Sequence, residues 1–276
     1  MFCEQAQKIL IDCALAGGQF LKSRFLASGI DIRTKSSAAD LVTEVDLQAQ
    51  KIITEKLSRA LPGVPIVGEE GKTGTPAGEV IYLDPIDGTL NFVHGFNKFS
   101  VSIGYWNQDQ PLAGVVYNPI DESLFHAAKG QGAFKNGKRI RVSKINSLNR
   151  SLLSTGWPYD KSQITSVLKT IARALEHAQE IRTFGSSSLS MCYLAEGVFE
   201  GFWEWDLQPW DLAAGVIIAL ESGATITGLA GERFQLSRGA IVASNGHIHK
   251  EMLNCILAPS ADRPPKEAAG DKTRQQ

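Results

Sequence analysis

The stretch from Tyr82 to Phe92, YLDPIDGTLNF, decides how the rest of this 276-residue chain is read. The run before it, EVIYL from Glu79 to Leu83, is apolar and reads as a strand. Asp84 then stands at the strand's C-terminal mouth, where a rigid support carries functional loops. Pro85 fixes its own φ and holds Asp84 extended. In a continuing strand, residues three apart face opposite sides, so a turn starting at Pro85 is expected to bring Asp84 and Asp87 to face one point. Two carboxylates held that close repel unless one is protonated or a cation lies between them. Gly88 allows close backbone approach, and the amides of Gly88, Thr89 and Leu90 are expected to open a short helix, a natural seat for phosphate. Acid pair plus anion seat suits a metal-bridged phosphate. The plainer alternative is an Asx-type turn with incidental acids.

A hard cation such as Mg2+ wants several oxygen ligands, so further carboxylates are expected at comparable strand or helix ends. PIVGEE places Glu69 and Glu70 just past a short apolar strand, with Glu70 reading as a solvated loop acid. PWDLAAG places Asp211 at the start of an apolar helix, where an N-cap is the competing role. Asp46, in Thr43-Glu44-Val45-Asp46, has the form of a capping box.

Around these residues the pattern changes in order. Phe2, Ala6, Ile9, Leu10, Cys13, Ala16 and Phe20 recur at helical spacing, and DLVTEVDLQAQKIITEKLSRALPG repeats the pattern as far as Pro62-Gly63. Strand-like runs follow (VPIVG, EVIYL, FSVSIGYW, LAGVVYNP, SLFHAA, GKRIRVS), with Asn136-Gly137 as a hairpin turn. After about residue 145 strands and helices alternate. The expectation is an α+β fold of packed layers. An antiparallel-sheet half with long helices spans 1–145, an α/β half spans 146–258, and a disordered tail covers 259–276.

Lys and Arg number 28 against 29 Asp and Glu, a net charge of −1, which argues against a nucleic-acid or membrane-surface binder. The first residues lack a basic region, and Asp12 interrupts their apolar run, so they read as neither signal nor membrane span. Cys3, Cys13, Cys192 and Cys255 are far apart and read as thiols of a reducing cytoplasm. KNGKRIRVSK reads as a solvated hairpin face, and His247-x-His249 as a helix start.

GEE, then DPIDGTLNF, then PWDLAAG, in this order and spacing, resemble the inositol monophosphatase family of metal-dependent, lithium-sensitive phosphatases. The resemblance runs from the first helix to about residue 257, and KSSAADLVTEVD and RTFGSSS fall where that family places parts of its active site. It implies an α-β-α-β-α sandwich, a homodimer, and two or three Mg2+ ions per site, with Mn2+ as a substitute and Li+ as an inhibitor. By the same resemblance, Glu69, Asp84, Asp87 and Asp211 are side-chain metal ligands and the Ile86 carbonyl a backbone ligand. Thr89 with Asp46 activates the attacking water, Lys35 and Asp40 belong to a loop and helix start near the metals, and the amides of Gly88 and Thr89 hold phosphate. Gly185, Ser186, Ser187 and Glu204 line the alcohol side, next to Ile86, Asp87 and Asp211.

The chemistry implied is hydrolysis of a phosphomonoester, myo-inositol monophosphate first, to alcohol and phosphate. Four carboxylates and a phosphate dianion sum to −6, which two or three divalent ions would largely neutralise. Fructose-1,6-bisphosphate, histidinol phosphate and 3′-phosphoadenosine 5′-phosphate are rival substrates, although Asn91 favours the inositol branch over the nucleotidase branch. A catalytically idle metal-binding regulatory subunit is the rival from another class. Two departures bear on the substrate: Leu90 stands where many relatives carry Thr, and Ser186-Ser187-Ser188 is rich in hydroxyls. Trp203 and Trp205 flank Glu204 and read as core packing, or alternatively as an aromatic wall for a larger leaving group.

Overall fold

The computed structural model describes residues 2–27, 32–34, 41–71 and 77–256. Two long helices begin the fold: α1 (Phe2–Arg24) and α2 (Glu44–Ala60). Ala6, Leu10, Cys13, Ala14 and Leu21 of α1, with Val45, Ala49, Ile53 and Leu57 of α2, form the buried stripes that their periodicity predicts. Between the helices, β1 (Ile32–Thr34) and β2 (Leu41–Thr43) pair antiparallel. Leu41–Thr43 is strand, and α2 starts after the Thr43 cap, where the capping box in the sequence places it.

The first sheet orders its strands as they occur in the chain: β3 (Ile66–Gly68), β4 (Glu79–Asp87), β5 (Ser100–Asn107), β6 (Gln110–Asn118), β7 (Ser123–Ala128), β8 (Gly132–Lys135) and β9 (Lys138–Ile140). The β3–β4 pair is parallel and the rest are antiparallel. The β8–β9 turn is the expected Asn136-Gly137, both at positive φ. A short helix, α3 (Thr89–Val93), follows β4.

The second sheet has the order β11-β10-β12-β14-β13. It comprises β10 (Leu152–Thr155), β11 (Glu180–Arg182), β12 (Gly201–Trp205), β13 (Thr225–Thr227) and β14 (Ala240–Ser244), with helices α4 (Ile164–Leu175), α5 (Ser187–Ala195), α6 (Pro209–Ser222) and α7 (His249–Ile256). Only β10 pairs parallel, with β11 and β12, while β14 runs antiparallel to both neighbours. The alternating half is therefore a mixed sheet, because β12 and β14 are joined through a helix and the short strand β13 rather than a plain crossover.

The layers are α1/α2, first sheet, α5/α6, second sheet, α4/α7. The central helices are shared. Met191, Leu194, Trp210 and Ala213 pack with Val80 and Trp106 of the first sheet and with Phe202, Ile241 and Ala243 of the second. Being covered on both sides, α6 is apolar all round, as its sequence DLAAGVIIAL shows. Close contact needs small residues: a Cβ on Gly104 of β5 would lie 2.6 Å from the Ala213 backbone.

Candidate active site

The strand β4 does not end at Leu83, as the local pattern suggested, but continues through Pro85 to Asp87. Asp84 pairs with Ser102 and Asp87 with Ser100, so three steps on β4 match two on β5. The extra residue is a β-bulge. It converts a spacing of three into an effective spacing of two, and both carboxylates come to the same face. A bulge thus does what a turn was expected to do. Gly88 follows at φ 97°, in the left-handed region, and caps α3.

Asp84 and Asp87 line a cavity of about 200 Å3 together with Glu69, Ile86, Gly88, Thr89, Gly185, Ser186, Ser187, Glu204 and Asp211. Every site residue expected from the sequence within the described residues lines this cavity except Asp46, which lies directly behind Thr89. Lys35, Asp40 and the tail from 259 lie outside the described residues.

Each side chain has a local reason for its position. Thr43 and Asp46 form the expected capping box of α2, in which Asp46 Oδ2 accepts from the Thr43 amide (2.8 Å) and hydroxyl (2.6 Å). The other oxygen, Oδ1, accepts from Thr89 Oγ1 at 2.9 Å. Capping and site support are one residue's two faces. Asp84 Oδ1 accepts the Ile86 amide at 2.9 Å. Asp87 Oδ2 accepts from Ser186 Oγ (2.6 Å), the Ser188 amide (2.9 Å) and Ser188 Oγ. Ser187 Oγ donates to Glu204 Oε2 at 2.8 Å. The hydroxyl-rich triplet is therefore engaged with acids and is not a free lining for the alcohol. Asp211 is an N-terminal capping acid as well, its Oδ2 accepting the Gln208 amide at 2.7 Å. Glu70 is half-buried and tied to Gln50 through its backbone.

Crowded burial of acids raises their pKa values. Burial, then Glu69, Asp87 and Asp211, push Asp84 well above the usual carboxylate range. Asp211 is raised well above it by burial, against the pull of the Gln208 amide. Burial also raises Asp87, with the serine donors pulling back. Glu204 rises to about 8 through burial, partly offset by the Ser187 hydrogen bond. Among the described residues no three acid, His or Cys side chains already surround one point as an ion cage. The acids are held instead by chain donors and, for Glu69 and Asp84, by each other. This donor set still fits a hard divalent cation: four carboxylates and a carbonyl line one cavity, with Asp84 and Asp211 each disfavoured as anions by neighbouring acids.

Sequence reasoning missed one wall. Thr155, Gly156, Trp157, Pro158, Tyr159 and Lys161 line the cavity, and Lys161 is the only cation among the described lining residues. They run from the last residue of β10 into the loop after it, and the parallel pairing of β10 with β12 brings them beside Glu204. A Cβ on Gly156 would sit 1.9 Å from Glu204 Oε1. The available signal was a Gly-Trp-Pro-Tyr run just past a strand. Trp203 and Trp205 prove to be packing residues, with Trp203 donating to Thr170 and Trp205 to Gln163. Strand alternation points Glu204 the other way.

The family model described as the inositol monophosphatase family matches residues 3–261. The chain belongs to that family. Inositol-1-monophosphatase of Synechocystis is 40% identical over 230 residues, which is 82% of this chain and 80% of that protein. Nus factor SuhB of Pseudomonas aeruginosa is 37% identical over 239 residues, 83% and 88% of the two chains. Among solved structures, the extragenic suppressor protein SuhB of Bartonella henselae superposes with a TM-score of 0.86 at 33% identity, covering 91% of this chain and 98% of its own. As an inositol monophosphatase family member the chain is a phosphatase, from a family of metal-dependent enzymes with this layered fold. Among the described residues no helix is long and apolar enough to cross a membrane.

Proposed function

We propose that this phosphatase is Mg2+-dependent and hydrolyses a phosphomonoester, with myo-inositol monophosphate as the leading substrate. The observation that carries the reading is the Thr89–Asp46 hydrogen bond, at 2.9 Å, beside the bulge that presents Asp84 and Asp87. A protein that only stored a cation would have no use for a hydroxyl wired to a buried carboxylate.

Glu69, Asp84, Asp87, Asp211 and the Ile86 carbonyl are the groups that would hold the ions. When bound, divalent ions offset the phosphate's charge and acidify the attacking water. The first-turn amides of α3, beginning with Gly88 and Thr89, orient the phosphate oxygens. Thr89 Oγ1 takes the proton of the attacking water as its own proton passes to Asp46 Oδ1. Asp46 keeps its position because Thr43 holds its second oxygen. On the alcohol side, Glu204 engages vicinal hydroxyls of a polyol, and Ser187 sets its orientation.

The test is phosphate release from inositol, sugar and nucleotide monoesters, with and without chelator, in the parent and in Asp84→Asn. Turnover should vanish with chelator and fall at least about a hundredfold in the variant, because losing one hard oxygen ligand leaves the ions poorly placed. Full turnover in excess chelator would sink the metal reading. Millimolar lithium should slow the steady state, and fructose bisphosphate or a nucleotide leading the panel would reassign the substrate.

A further inference from the structure

The cavity has an inner wall of acids and an outer lip of a different kind. Trp157 is 45% exposed and Tyr159 44%, and both line the cavity. Leu90 of α3, also a lining residue, is 41% exposed. The exposed large aromatics among the described residues are Phe96, Trp157 and Tyr159, so two of these three open onto this one cavity. Other aromatic rings are spent inside: Phe25, Phe92 and Phe99 pack on one another, as do Phe184, Tyr193 and Phe199. Half-exposed Trp and Tyr beside a ligand cavity present flat apolar area at little entropic cost, since each has only two side-chain torsions.

The lip is held at several points. Pro158, a buried residue between them in the sequence, fixes its own φ and keeps Trp157 extended. Gly156, at its start, is pressed against Glu204. At its far end Asp160 accepts the Ser162 amide (2.9 Å) and hydroxyl (2.7 Å), and Gln163 accepts the Trp205 indole N–H at 2.9 Å. Tyr159 lines the same cavity as Asp211, Glu69, Asp84 and Asp87, while part of its side chain stays in solvent. Two half-exposed aromatic side chains thus stand at the mouth of the cavity that the acids line.

From this arrangement we infer that Trp157 and Tyr159 form a stacking lip that adds affinity for phosphate esters whose leaving group carries a planar ring, an aryl group or a nucleobase, beyond what the polyol-reading inner wall supplies. The inference rests on the phosphomonoesterase reading of the same cavity. Polyol hydroxyls meet Glu204 at the inner wall, and a flat ring extending past them meets the lip. Both can be satisfied by one molecule whose sugar-like part bears the phosphate.

The experiment compares kcat/KM for 1-naphthyl phosphate, adenosine 3′-monophosphate and glycerol 2-phosphate in the full chain and in Trp157→Ala, Trp157→Phe and Tyr159→Ala. Calorimetric binding of non-hydrolysable naphthylmethylphosphonate is measured on the same proteins. The expected result is a fall of about ten- to a hundredfold in the ring-to-glycerol ratio for Trp157→Ala, the range that loss of one stacked ring produces. The fall should appear in KM rather than kcat, be matched in phosphonate affinity, and be largely rescued by Trp157→Phe. A response confined to the naphthyl or to the adenosine arm supports the lip and names its ring class. An unchanged ratio, or equal losses on all three esters, overturns it. If no ester is cleaved by any protein, the phosphomonoesterase reading fails, while the phosphonate arm still tests the lip by itself.

Discussion

At the scale of single residues, Asp46 serves two partners: one carboxylate oxygen caps α2 and the other holds Thr89. Removing the hydroxyl should therefore be a chemical loss more than a structural one. Thr89→Val should lower kcat by about two to four orders of magnitude, the usual contribution of a placed proton acceptor, and Thr89→Ser should recover most of it. Stopped-flow or steady-state phosphate release, beside an unchanged circular dichroism spectrum, checks this. For Glu204, whose carboxyl is buried and pushed up to about 8, the neutral amide is a close substitute in shape but cannot reproduce every hydrogen bond. Glu204→Gln should cost about tenfold in kcat/KM for inositol phosphate, the scale of one hydrogen bond, and much less for p-nitrophenyl phosphate. Equal losses on both would assign Glu204 to support of the acid cluster.

Among elements, α6 matters most because it carries Asp211 and is gripped from both sides. On the first-sheet side the grip is specific: the Trp106 indole N–H donates to the Ala213 carbonyl at 3.0 Å, Ser102 Oγ to the Trp210 carbonyl at 3.3 Å, and Gly104 leaves no room for a Cβ. Gly104→Ala should destabilise by about 1–3 kcal/mol through overpacking. Because Asp211 sits on the displaced helix, activity should drop by more than stability alone predicts, measured by denaturant titration and kcat on the same sample. Gly156→Ala should spare the fold but push Glu204 aside, lowering discrimination for polyol esters. Periodicity made α1, α2 and α4 legible, the long apolar run DLAAGVIIAL made α6 legible, and the acid-Pro-acid run made the site strand legible. The bulge was not, since choosing it over a turn depends on pairing with Ser100 and Ser102 far along the chain. Nor was the Trp157–Tyr159 lip, whose short loop has no period and gains meaning only when β10 lies beside β12. Short strands such as β1, β2 and β11, three residues each, carry too few side chains for alternation to register.

Across the whole molecule, stability should depend on pH through a residue far from the acids. His249 is buried at the start of α7, with its Nδ1 2.9 Å from Ser244 Oγ and its Nε2 3.0 Å from Thr227 Oγ1. Burial lowers its pKa below the ordinary 6.5. The unfolded chain then takes up a proton that the folded chain refuses, so this contribution is full above pH 6.5 and declines as pH falls toward the lower folded value. The buried acids, whose raised pKa values favour the folded state as pH falls, act in the opposite sense in parent and variant alike, so from pH 7.5 to 5 the melting temperature of the parent should drop relative to that of His249→Gln. A parallel slope would show that the imidazole does not titrate in this way. Cation binding acts on the same global equilibrium: added Mg2+ should raise the melting temperature of the parent and hardly that of Asp84→Asn.

The clasp between Asp87 and Ser188 joins residues 101 positions apart. The last acid of the cluster, Asp211, comes later still in the sequence. A chain grown only as far as the first sheet carries Asp84 and Asp87 but not the rest of the pocket. Until then it has neither the serines that fix Asp87 nor the helix that supplies Asp211. The acid cluster is therefore assembled from both halves of the chain, and a fragment that stops before Asp211 lacks one of its members however well its first sheet is formed.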